Sequence, residues 1–97
     1  MSHNENLLKI SSLIILCAKK QILKKAVLSK PSDKSIVKTV LSAKTISGTL
    51  ALQAEFFHKD NKATHKNLFL DGLDEITLAD LLCGYMQINL ISTATEA

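Results

Sequence analysis

Between residues 36 and 57 the side chains alternate in character almost without interruption. Val37, Thr39, Leu41 and Ala43 form one series; Lys38, Val40, Ser42 and Lys44 form the other, and only Val40 breaks its polar run. A period of two sends successive side chains to opposite faces, and β-branched residues favour extended backbone, so the segment predicts a half-buried strand. Leu50, Leu52, Ala54 and Phe56 alternate in the same way with Thr49, Ala51, Gln53 and Glu55. Ser47-Gly48 between the two runs is a two-residue hairpin signal. Across the exposed side, Lys38 and Lys44 are expected to face Glu55 and its neighbours. Upstream, "AVLSK" predicts a short strand over residues 26–30, and "PSDK" a turn built on the fixed φ of Pro31 and the side-chain acceptor of Asp33. Downstream, residues 58–62 read as a hairpin loop around Asp60-Asn61 and residues 63–68 as a fourth strand, with His58 at the loop and His65 in mid-strand.

The ends of the chain follow a different period. Leu7, Ile10, Ile14, Cys17 or Ala18, and Ile22 recur at helical spacing, with Lys9, Ser12, Lys20 and Lys24 opposite, which predicts a helix over residues 5–25. Its apolar stripe is wide enough to need cover from a sheet or a partner. Residues 71–91 predict a second helix, N-capped by Asp71 or Asp74, with Ile76, Leu78 or Ala79, Leu82 and Met86 on its apolar face. Gly84 inside it marks close packing or a bend. Residues 92–97 read as a frayed or cut end. The expected fold class is α+β: a helix, a three- to four-stranded antiparallel meander, and a helix, with both helices on one face of the sheet. Residues 1–97 are expected to make a single small domain.

Charge is distributed unevenly. All twelve basic residues are lysines within residues 1–66, against Glu5, Asp33, Glu55 and Asp60, a net of +8. Residues 67–97 carry five acids and no base. A lysine-rich half suits a solvated surface or phosphate contact, with Lys30, Lys34, Lys38 and Lys44 as the candidate anion or nucleic-acid contacts. Arginine, the usual residue for bidentate phosphate or guanine recognition, is absent from the chain. Four aromatic residues, Phe56, Phe57, Phe69 and Tyr85, make a thin stacking platform for bases. The one membrane-like run, "LLKISSLIILCA", has twelve residues and includes Lys9, where a spanning helix needs about 20 apolar residues. With no basic segment before it, the secretory pattern fails as well, and a cytoplasmic location is expected.

Catalytic chemistry is hard to assemble. Gly48, Gly72 and Gly84 do not cluster, so no phosphate-binding loop or dinucleotide fingerprint is present. Cys17 and Cys83 lie in apolar runs without a Cys-x-x-Cys spacing, and two buried free thiols are expected rather than a disulfide or a zinc site. His58 and His65 lack a clear third metal ligand, Asp60 being a weak candidate. Glu55 and Asp60 fall at exposed positions, where solvated carboxylates are the default. No catalytic, cofactor-binding or metal-binding residue is therefore assigned.

The stretches "KKAVLSKPSDKSIVKTVL", "GTLALQAEFF", "THKNL" and "MQINLIST" resemble the N-terminal region of a group of bacterial class I S-adenosylmethionine-dependent methyltransferases. The matching positions are Ser29, Lys30, Pro31, Gln53, Glu55, Phe56, His65, Asn67, Leu68, Gln87, Asn89 and Thr93, spread over about residues 25–93. Gln53, Glu55, His65, Asn67, Gln87 and Asn89 are the candidate motif positions. The resemblance implies a Rossmann-like catalytic domain that holds S-adenosylmethionine and lies C-terminal to this region. It implies that the chain is the N-terminal accessory domain of a longer protein or a truncated relative, with no cofactor of its own. The implied role is substrate positioning or packing against the catalytic domain, without catalysis by this chain. Two other readings rest on the residues. One is a nucleic-acid-binding module, since helix–strands–helix is the order of double-stranded-RNA-binding domains, although Asp71, Asp74 and Glu75 stand where that family needs lysines. The other is a homodimerisation module using the stripe on the first helix.

Overall fold

A computed structural model describes residues 2–92. The alternating segments become strands β2 (Ile36–Ile46) and β3 (Thr49–His58), paired antiparallel with Leu41 opposite Ala54. Ser47 and Gly48 both adopt positive φ, 51° and 79°, the left-handed pair that a two-residue hairpin needs to match strand twist. Strand β1 (Leu23–Pro31) flanks β2, and the turn between them is tied by Asp33, whose Oδ1 accepts from the Ser35 N–H at 2.9 Å and from its hydroxyl at 2.8 Å. Strand β4 (Ala63–Phe69) pairs with β3 across the expected loop, where Asp60 Oδ1 accepts from the Lys62 N–H at 3.1 Å and Asn61 takes φ 68°.

Helix α1 (Ser2–Lys19) is shorter at its C-terminus than its periodicity predicts. Gln21 turns to φ 59°, the Gln21 N–H donates to Ala18 and the Ile22 N–H to Cys17, both at 3.0 Å. These two bonds satisfy the last carbonyls and stop the helix. Ile22 and Lys24 consequently lie outside it, and Leu23 opens β1 as a core residue.

The second half of the chain departs further from expectation. After a short 3-10 turn at Leu70–Gly72, helix α2 runs only from Glu75 to Leu82. Asp74 is its N-cap, accepting from the Thr77 N–H at 2.8 Å. The remainder of the expected helix is a fifth strand, β5 (Tyr85–Ser92). Gly84 supplies the bend, and its carbonyl accepts from the Ser32 N–H at 2.8 Å. A side chain there would meet Ser32 Oγ only at an ordinary 3.6 Å, so close packing is not its role. The α+β class stands, but the sheet has five antiparallel strands in the order β4-β3-β2-β1-β5. α2 carries the chain from one rim to the other, and β5 lies along β1 with Leu28 opposite Ile88.

Both helices share one apolar core with the same face of the sheet. Leu7, Ile14, Ile15 and Ala18 of α1 and Leu78 and Leu82 of α2 meet Ala26, Leu28, Leu41, Leu52 and Ala54. These sheet residues have equal parity in the strand registers, so they point the same way. Beneath the helices the Thr39 and Tyr85 hydroxyls are hydrogen-bonded and buried. Leu8, Leu13 and Leu16 of α1 remain exposed. Among the described residues, no helix is long and apolar enough to cross a membrane. Cys17 is partly buried and Cys83 exposed, both free; the expectation of two buried thiols fails because Cys83 sits just past the buried face of α2.

Ser11 is the one polar misfit in this packing among the described residues: its hydroxyl is buried in α1 and has no hydrogen-bond partner. Substitution by Ala removes the desolvated group at little cost in volume and raises helix propensity. Ser11→Ala is expected to stabilise the protein by about 1 kcal/mol and to raise the thermal midpoint by roughly 4–8 °C. Thermal unfolding followed by circular dichroism checks it.

Candidate functional site: the uncovered face of the sheet

With both helices on one side, the other face of the sheet has no covering layer among the described residues. Its side chains line up in rows set by the strand register. One row runs His65, Glu55, Val40, Val27, Asn89 from β4 to β5. The next runs Ala63, Phe57, Lys38, Ser29, Gln87. A third begins Asn67, Gln53, Ser42. All six candidate motif positions, Gln53, Glu55, His65, Asn67, Gln87 and Asn89, therefore emerge on this face. Thr93, the last position of the resemblance, and residues 93–97 of the expected frayed end lie outside the described residues, whereas Ser92 of that stretch closes β5.

Neighbouring strands hold these side chains in pairs. Gln53 Nε2 donates to Asn67 Oδ1 at 3.1 Å, and His65 Nε2 lies 3.4 Å from Glu55 Oε2. The Ser29 hydroxyl donates to Gln87 Oε1 at 3.3 Å. The pairs form two groups. β3 and β5 are three strand spacings apart, about 14 Å, and Val27 and Val40 face each other between them. Phe57 adjoins this apolar centre, with Lys38 Nζ 5.1 Å from its ring centroid. Val40, an apparent flaw in the polar series, is thus half of an apolar pair that the sequence pattern alone could not complete.

The lysines behave differently from expectation. Lys38 stands opposite Phe57 and Lys44 opposite Ala51, whereas Glu55 stands between Val40 and His65. The hairpin register, set by the Ser47-Gly48 turn, places Glu55 between the lysines rather than across from either. Lys30, next to last in β1, takes φ 54° and Lys34 lies in the adjoining turn, so these two and Lys38 gather at one end of the sheet. Lys44 is six residues farther along β2, about 20 Å away.

The two histidines of the sequence motif stand apart. His58 bonds Thr64 at 3.0 Å on the helix side of the sheet, while His65 belongs to the open side, so the two imidazoles cannot share an ion. Among the described residues, no group of three or more His, Cys, Asp or Glu could hold a metal. Asp33 and Asp74 are held below the ordinary aspartate value, Asp33 by the Ser35 backbone N–H and then its hydroxyl, Asp74 by the Thr77 N–H and then its side chain. Both carboxylates serve a turn or a helix cap away from the open face. No protein-family model, curated protein or solved structure matches the chain.

Proposed function

We propose that this chain is a non-catalytic accessory domain that docks through the open face of its sheet onto the catalytic domain of an S-adenosylmethionine-dependent methyltransferase. The observation that carries the reading is the row pattern: six positions singled out by sequence resemblance fall on one face. That face has an apolar centre of Val27, Val40 and Phe57 and a rim of Gln53, Asn67, Glu55, His65, Gln87 and Asn89. A desolvated centre within a polar rim is the anatomy of a protein–protein interface. S-adenosylmethionine belongs, on this reading, to the partner domain.

Two measurements test it. Calorimetric titration of the 97-residue chain with S-adenosylmethionine is expected to give no binding heat; micromolar affinity would sink the reading. The gene downstream of the Ala97 codon is expected to continue in frame into a Gly-rich strand–loop–helix. A stop codon there would remove the catalytic partner.

Lys30, Lys34 and Lys38 at one end of the sheet favour a second reading, capture of a nucleic-acid substrate. Phosphate contacts release counterions, so RNA affinity would fall steeply between two salt concentrations. Absence of that slope excludes this role.

A further inference from the structure

The two rims of the sheet are protected unequally. Every edge strand directs alternate backbone N–H and C=O groups outward, and native edges are commonly guarded by lysine, proline or bulges. β4 follows this rule: it carries His65 and Lys66 and is preceded by Asp60 and Lys62. β5 does not. Its residues Tyr-Met-Gln-Ile-Asn-Leu-Ile-Ser include no charge and no proline, and its register with β1 is regular from Pro31 to Lys25. Met86 is 83% exposed and Leu90 37% exposed along this rim.

We propose that β5 pairs antiparallel with β5 of a second copy, about a twofold axis at Ile88, to form a continuous ten-stranded sheet. The choice of register comes from the sequence of the strand. With Ile88 opposite itself, Met86 meets Leu90 of the second copy and Gln87 meets Asn89. Directly opposed residues in an antiparallel pair share a face. Apolar side chains therefore meet on the helix side and amides meet on the open side. Centring on Asn89 would set Gln87 against Ile91, and centring on Gln87 would leave Leu90 and Ile91 without partners. β5 itself carries no charge, so no like charges stand directly opposite each other across the seam. This pairing is independent of the open-face proposal and differs from association through the exposed leucines of α1.

Sedimentation equilibrium of the 97-residue chain from micromolar to millimolar concentration is expected to show a shift from one copy to two. Met86→Lys/Leu90→Lys sets like charges against each other across the axis, in side chains already exposed, and is expected to weaken association at least tenfold. Thr64→Lys on the opposite rim is expected to leave it unchanged. Circular dichroism confirms that the variants fold. With Cys17 and Cys83 replaced by Ala, Ile88→Cys is expected to form an interchain disulfide under mild oxidation, because residues opposed in a strand pair lie within bonding range. Met86→Cys is expected to stay unlinked, since its counterpart is four residues away along the strand. A chain that is monomeric throughout, or a dimer that survives the double lysine variant and is lost with Leu13→Lys/Leu16→Lys, overturns the proposal.

Discussion

Leu28→Ala is expected to destabilise the protein by about 3 kcal/mol, within the range of roughly 2–5 kcal/mol for truncating a buried leucine. Leu28 is fully buried in β1, the strand hydrogen-bonded to both β2 and β5, and its register partners are Thr39 and Ile88. Removing its branched end leaves a void beneath both helices that stiff strand backbones cannot close. A domain of this size has a total stability on the order of 5–15 kcal/mol, so a substantial share would be lost. Urea unfolding at constant m-value reads the change. Val27→Ala, one residue along on the open face, is the internal comparison and is expected to cost less than about 1.5 kcal/mol. Equal losses at the two positions would mean that the open face is packed as tightly as the core.

The second large effect concerns the hydroxyl pair under the helices. Thr39 on β2 and Tyr85 at the start of β5 satisfy each other in the core. Tyr85→Phe leaves the Thr39 hydroxyl buried without its partner, and Thr39→Val does the same to Tyr85, each at a cost of about 1–3 kcal/mol. The double variant removes both polar groups and is expected to cost less than the sum of the two, with a coupling of about 1–2 kcal/mol. A double-mutant cycle by urea unfolding measures it. Additivity within about 0.5 kcal/mol would show that the hydroxyls do not depend on each other.

How far the fold is legible depends on where each element finds its partner. β2 and β3 are read correctly because a local turn joins them and their alternation is long; their faces are too, except at Val37, which is exposed where the register shifts between Ile36 and Lys38. The Asp60-Asn61 turn and β4 follow for the same reason. β5 is misread as helix because Met86 continues the spacing of Leu78 and Leu82 across Gly84, while Met86, Ile88 and Leu90 fit a strand equally well. What decides between them is pairing with β1, whose Ser29 lies opposite Gln87 far along the chain, and such tertiary choices override local pattern. The candidate site has the same history. Its six positions are visible as motif residues, but their assembly on one face depends on a strand order that puts β5 beside β1. The expectation that Lys38 and Lys44 face Glu55 and its neighbours holds only in part: Lys38 stands opposite Phe57, a same-face neighbour of Glu55, and Lys44 opposite Ala51.

The neighbourhood of the first and last strands bears on how the chain is made. β1 leaves the ribosome well before β5, yet one of its flanks is paired only by β5, up to Ser92. The hairpins from β1 to β4 pair within a short stretch of nascent chain, whereas closure of that flank waits until β5 has been made, and long-range pairing is slow. During synthesis the unzipped side of β1, with Ala26 and Leu28 at its centre, is the sticky surface that a chaperone would shield or another unfinished chain would capture.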